Sequence, residues 1–350
     1  MTQTAKYSAV LAKIGAERSK LLNETRVKTL AESKNLQEFN AQLRDSSYQG
    51  EIGKQSPPLT GRKLESAFEE SFINTAFKII KNSPLQAVEY LRLYLKRFEI
   101  DDIKTLVKPA NIKLSTEDKL SKIYLSAEEY LKNRGLIEEA AKMQTMRQAI
   151  NVFKGTDYAL PLNMGLQSYE EDGLTVCLDI LMDKVYYEKL YDAYNALPRN
   201  EQPHANYYAS HQNDSFTLLT TLRGKALGYD PDWLRLAVPK RNFNLPNETV
   251  EAMITSPDFE SALKVAQSTS YRGFFARAQT QQETISASKK EFDRAMLVHA
   301  KISKVPEAFN IGAPIAFLTQ KQVEVSNLVA ISAGVEAEVA PEDIHRQLLL

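Results

Sequence analysis

The chain has 350 residues, with 44 Lys+Arg against 44 Asp+Glu, 13 glycines and one cysteine. The length predicts two or three domains, and the low glycine content, against a usual ~7%, argues against turn-dense sandwiches and glycine-rich nucleotide-binding folds. Zero net charge argues against bulk attraction to nucleic acid or anionic membrane, and Cys177 alone excludes an internal disulfide or a multi-cysteine metal site.

Residues 1–13 are polar and lack the apolar core of a secretory signal. Leu36, Phe39 and Leu43 then recur at helical spacing. Asn35 and Glu38 fit a reciprocal capping box ahead of them, and Ser46-Ser47-Tyr48 closes the run. Residues 46–62, with three glycines and Pro57-Pro58, read as a long loop. Leu64, Phe68, Phe72, Ala76 and Ile79/Ile80 form one apolar helical face. Pro84 fits a first helical turn and opens a second face of Leu85, Val88, Leu91, Leu95 and Phe98.

Lys78, Lys81, Arg92, Lys96, Arg97, Lys104 and Lys108 interleave with Tyr90, Tyr94 and Phe98. Glu89, Glu99, Asp101 and Asp102 dilute that charge, so the stretch reads as a solvated or partner-facing surface rather than a nucleic-acid groove. Ser115 caps a helix with acids in its first turn; Leu120, Ile123/Tyr124, Ala127 and Leu131 follow on one face, and Gly135 marks its stop. Thr145 with Gln148 caps a short helix of Met146, Ala149 and Phe153 that closes on Thr156-Asp157-Tyr158. Glu170-Glu171-Asp172 reads as a solvated turn with no cationic partner.

Leu174, Cys177/Leu178, Leu181 and Val185 share a face, which makes Cys177 an inert core thiol. Residues 197–214, with Pro198, Pro203 and several Asn and Gln, read as a second long loop. That loop carries His204, His211 and Asp214, at a spacing that matches no common metal-ligand arrangement. Asp258, or Ser256 before Pro257, caps a helix of Phe259, Ala262 and Ala266 that closes on Thr269-Ser270-Tyr271. Ile285, Phe292, Met296 and His299/Ala300 form one more face, with His299 as a core group. The apolar runs 311–318 and 328–335 are too short to span a bilayer. Alternating β patterns are scarce, so the fold class is all-α, in a soluble, intracellular protein.

Sliding the chain on itself shows an internal repeat. The Leu36–Tyr48 pattern returns 110 residues on, ending at Tyr158, and 223 residues on, ending at Tyr271. A second element, Gly224…Pro231-Asp232-Trp233-Leu234, matches Gly334…Pro341-Glu342-Asp343-Ile344, with Arg97…Asp101-Asp102-Ile103 as a compressed relative. The expected units are 1–109, 110–240 and 241–350. Tyr48, Tyr158 and Tyr271 read as structural rather than reactive, each burying its ring while its hydroxyl finds a partner. No phosphate-cradling loop, dinucleotide fingerprint, zincin, nucleophile-elbow or kinase signature occurs. No catalytic, cofactor-binding or metal site is expected, which leaves a binding or mechanical role.

The segment from Pro314 through Lys321, Glu324 and Asn327 to Leu328 resembles a motif in the family of the archaeal A-type ATP synthase C subunit, which is similar to the d subunit of V-type ATPases. The ending Ile331…Gly334…Pro341-Glu342-Asp343-Ile344-His345-Arg346-Gln347-Leu348 fits the same family, as do Arg18…Leu21-Leu22 and the Leu36–Tyr48 unit. Phe317, Gln322 and Val329 depart from its usual Tyr, Glu and Arg. Lys321 and Glu324, three apart on one helix, are placed to pair locally.

The resemblance implies three pseudo-equivalent helical domains around a pseudo-threefold axis, shaped as a funnel. It implies a non-catalytic component, docked without spanning the bilayer on the cytoplasmic face of a membrane rotor ring. There it receives a central shaft of D and F subunits and works with the other A-type ATP synthase components, coupling ATP synthesis to proton or sodium transport. No cofactor and no nucleic acid are implied. The competing readings are an all-helical repeat scaffold of another complex, and an all-α enzyme built on the His204/His211 loop.

Overall fold

A computed structural model describes residues 3–275, 278–302 and 309–350; Met1 and Thr2, at the start of the polar N-terminal stretch, lie outside them. The described residues are helical and contain no strand. None of their helices is long and apolar enough to cross a membrane. The chain divides into two compact units, one of residues 1–91 with 293–350, the other of residues 92–292.

In the first unit, helix Gly61–Asn82 packs along helix Gly312–Glu336. The expected stripe of Leu64, Phe68, Phe72, Ala76, Ile79 and Ile80 is buried, and meets a helix that buries Ile315, Phe317, Leu328 and Ile331. The second helix is buried on nearly every side, which is why its polar residues carry information: Lys321, Glu324 and Asn327 are all buried in it. Helix Gln3–Arg18 adds Tyr7, Val10 and Ile14 to this core. Residues 46–62 are not wholly irregular, since a one-turn helix, Gln49–Ile52, buries Ile52. The stripe expected to start at Leu85 shifts register. Helix Leu85–Leu91 buries Ala87, Tyr90 and Leu91 and leaves Leu85 88% exposed.

In the second unit the long helices are Leu93–Val107, Val176–Ala196 and Gln202–Ala226. An apolar cluster runs from Leu218 and Leu222 through Leu234, Met253, Phe259 and Leu263 to Tyr271 and Phe292. Three expectations need correction here. Residues 197–214 are not a loop: Gln202–Ala226 is a 25-residue helix with Pro203 in its first turn, where a missing N–H costs nothing. Polar residues (Ser210, His211, Asn213, Asp214, Ser215, Thr217, Thr220, Thr221) interrupt its buried apolar positions, so no clean apolar stripe announced it. Gly135 lies inside helix Arg134–Lys142, and the preceding helix stops instead at Lys132, with a left-handed φ of 67°. Glu170 does have a cationic partner, Arg147 at 2.6 Å.

Leu174 is exposed and Cys177 half-buried, ahead of buried Leu178, Leu181 and Val185; burial pushes the Cys177 thiol up. His299 is half-buried, and burial holds its imidazole below the usual range. Part of the basic stretch is tied down in ion pairs. Lys96 pairs with Glu99, Lys104 with Asp101 and Asp183, and Lys108 with Asp179, each at 2.7 Å.

Candidate functional site

The three tyrosines of the repeat sit at the ends of three similarly built turns. Each turn follows a short helix capped as expected. Asn35 accepts from the Gln37 and Glu38 N–H groups ahead of Leu36–Gln42, Thr145 from Gln148 ahead of Met146–Val152, and Asp258 from Ser261 ahead of Phe259–Gln267. At the far end a hydroxyl bridges the turn. Ser46 Oγ donates to the Leu43 carbonyl at 2.6 Å and accepts from Tyr48 N–H at 3.3 Å. Thr156 does the same with Phe153 and Tyr158, at 2.7 and 3.2 Å, and Thr269 with Ala266 and Tyr271, at 2.7 and 3.1 Å. Each of these carbonyls also accepts the backbone N–H of the same Ser or Thr, at 3.0, 3.1 and 3.2 Å, so the hydroxyl adds a second bond that tightens the turn and aims its tyrosine inward.

Every one of the three hydroxyls ends on a buried carboxylate from a long helix. Tyr48 donates to Glu324 at 2.5 Å, Tyr158 to Glu99 at 2.6 Å and Tyr271 to Asp214 at 2.8 Å. Burial first, and then the adjoining carboxylate, hold all three phenols above their usual range. They are therefore fixed donors rather than proton exchangers.

The carboxylates are satisfied differently. At Glu324, Lys321 Nζ donates to the carboxylate at 2.9 Å and to Tyr48 Oη at 2.7 Å, and the Leu22 N–H donates to the second oxygen. Burial lowers the Lys321 ammonium, and Glu324 pulls it back up. At Glu99, Lys96 donates at 2.7 Å and the Asn133 amide takes the other oxygen. At Asp214 the backbone N–H groups of Phe243 and Asn244 donate at 2.9 and 2.7 Å. His211 stands where the other two nodes have lysine. Its Nδ1 donates to the Tyr207 carbonyl at 2.8 Å, and its ring stacks on Tyr207 at 3.8 Å. Burial raises the Asp214 carboxyl, and those two N–H groups and Tyr271 oppose the rise.

Lys321, Glu324 and Tyr48 are thus brought together, as are their counterparts around Tyr158 and Tyr271. Asn327 does a neighbouring job: its amide donates to the Leu349 carbonyl at 2.7 Å and its oxygen accepts from the Leu349 N–H at 2.9 Å. His204 and His211 form no ligand set with Asp214, and the described residues contain no group of three or more His, Cys, Asp or Glu placed to hold a metal ion.

Sequence reasoning missed Glu99 and Asp214. The signal was present: Lys96-x-x-Glu99-x-x-Asp102 and His211-x-x-Asp214-x-x-Thr217 share the spacing of Lys321-x-x-Glu324-x-x-Asn327. The same register places the glycine–proline element. Short helices begin at Thr116, Pro231 and Pro341, each 17 residues after its carboxylate. Asp101-Asp102-Ile103, read as a compressed relative of these, instead lies inside helix Leu93–Val107. Asp102 accepts from the Tyr124 N–H, 25 residues past Glu99, as Asn327 does from Leu349, 25 past Glu324. The corresponding residue after Asp214 is Pro239, which has no N–H, and Thr217 donates to Asn242 at 2.6 Å instead. The glycines are explained by close approach. A Cβ on Gly224 would stand 2.2 Å from Leu234 Cδ2, and one on Gly334 would stand 2.8 Å from both Ile344 Cδ1 and Cγ1.

These buried nodes tie the three turns to the long helices that carry their carboxylates. Residues 10–347 match the model of the ATP synthase (C/AC39) subunit family, and the chain belongs to that family. Among its relatives are proteins named as the C subunit of A-type ATP synthases. The one from Methanocaldococcus jannaschii is 26% identical over 99% of this chain and 86% of its own length. Those from Thermococcus kodakarensis and Pyrococcus abyssi are also 26% identical, over 96% and 98% of this chain and 89% and 90% of their own. The chain is an all-α member of a family of ATP synthase subunits.

Proposed function

We propose that this chain is the non-catalytic C subunit of an A-type rotary ATP synthase, passing torque between a central shaft of D and F subunits and the membrane rotor ring. The observation that carries this reading is the family match over nearly the whole chain. The nodes support it mechanically. A coupler has to resist twisting, and a buried hydrogen-bonded network inside close-packed helices stiffens the elements it joins. In this reading three related units, 1–109, 110–240 and 241–350, form a funnel about a pseudo-threefold axis that seats the shaft. The protein attaches peripherally at the cytoplasmic face, by docking on ring loops. Its work is to couple proton or sodium movement to ATP chemistry performed by other subunits. Affinity purification of the tagged chain from its own cells tests the assignment: the D and F shaft subunits and the rotor ring co-purify in fixed ratio. Recovery of the chain without any ATP synthase subunit overturns it.

A further inference from the structure

One cluster of ionisable groups stands apart from the three nodes. Glu128, on helix Leu125–Leu131, is fully buried, and no N–H or O–H of another residue reaches either of its carboxyl oxygens. Helix Leu125–Leu131 packs on helix Leu93–Val107, whose Asp102 carboxyl is the group that faces Glu128 there. Asp102 is itself buried and already accepts from the Tyr124 N–H at 3.0–3.1 Å. Two ionised carboxylates cannot hydrogen-bond. With both charged, Glu128 would be left buried without a donor and beside like charges, which is among the costliest arrangements a protein interior offers.

We propose that Glu128 and Asp102 hold a proton between them through neutral pH, in an acid–carboxylate hydrogen bond that fastens helix Leu125–Leu131 to helix Leu93–Val107. The proton comes from solvent as the unit folds and returns to it when the pair ionises.

The surrounding charges fit this assignment. From helix Leu93–Val107, Glu99 faces Glu128 with like charge, Asp101 does the same to Asp102, and Lys96 opposes Glu99's effect on Glu128. Lys96 is already committed to Glu99 at 2.7 Å, and the Glu99 carboxylate also takes the Tyr158 hydroxyl and the Asn133 amide. On helix Arg134–Lys142, which also packs on Leu125–Leu131, the charged residues Arg134, Glu138, Glu139 and Lys142 are exposed or half-exposed. Burial, then the Glu99 charge, push Glu128 up to about 8, and burial and Glu128 push Asp102 upward too.

A carboxyl raised by folding binds its proton in the native state where the unfolded chain does not. Its stabilisation is complete below the unfolded value of ~4.3, falls as pH rises, and is gone above about 8. The experiment is chemical denaturation of the full chain from pH 5 to 9, for the wild type and for Glu128→Gln, whose amide donates to Asp102 without titrating. The ratio of the two unfolding constants is expected to change by about tenfold per pH unit up to pH 8 and to level off above it, with the wild type losing ground as pH rises. Infrared difference spectra of the wild type at pH 7 should show a protonated-carboxyl band; this measurement decides the matter even if the variant does not fold. A ratio independent of pH with no such band overturns the proposal. So does a pH-independent wild type stabilised by added Ca²⁺, which would mean that a cation rather than a proton joins the two carboxyls.

Discussion

The node at Tyr48 and the node at Tyr271 solve one problem with different chemistry. Both bury a tyrosine hydroxyl on a carboxylate at the end of an equivalent turn. At Glu324 the buried negative charge is met by a buried positive one, Lys321, which also binds the tyrosine oxygen. At Asp214 it is met by two backbone N–H groups, and the lysine position holds a histidine turned to Tyr207. The tyrosine and the carboxylate are therefore the shared geometric requirement, and the source of compensating charge is open to choice. That choice has a consequence: a charge pair fails badly when halved, because the survivor is left buried and unpaired, whereas peptide donors carry no net charge to strand.

Removing one charge from each node sharpens this contrast. Glu324→Gln strands Lys321 and is expected to cost about 3–5 kcal/mol of unfolding free energy in urea titrations of the full chain. Asp214→Asn loses charge-assisted bonds from Phe243 and Asn244 but leaves no buried lysine behind, and is expected to cost about 1–3 kcal/mol. Equal costs would show that Lys321 gives the first node no special dependence on its partner. A smaller effect separates the two glycine contacts. In Gly334→Ala the new methyl meets two atoms of Ile344, including Cγ1 near the stem, so the branched side chain has to move; a loss of about 1–3 kcal/mol is expected. In Gly224→Ala only the terminal Cδ2 of Leu234 stands within 3 Å, and a rotation clears it. The gain of about 1 kcal/mol in helix propensity then leaves the variant near neutral by the same titration.

The sequence was informative wherever a signal was local. Asn35, Thr145 and Asp258 cap the helices they were expected to cap, because a cap is read within four residues. The glycine–proline element was visible as a matched spacing, and its cause, two helices touching at Gly224 and Gly334, is a packing fact that spacing implies without explaining. Helix Gln202–Ala226 was hidden because it buries Asn213, Asp214 and Thr217 where the periodicity test looks for leucine. The carboxylate partners were hidden for another reason. Tyr158 finds Glu99 across 59 residues and Tyr48 finds Glu324 across 276, distances over which no local pattern operates. Only the family resemblance singled out Lys321, Glu324 and Asn327, and nothing in the sequence tied them to Tyr48.

We propose that this chain transmits rotation without taking part in the chemistry. ATP-driven ion uptake and ATP hydrolysis, measured together in membrane vesicles with and without this protein, test it most directly. Loss of the protein is expected to abolish ion uptake while hydrolysis by the soluble sector continues; ion uptake that stays fully coupled to hydrolysis in its absence would overturn the proposal.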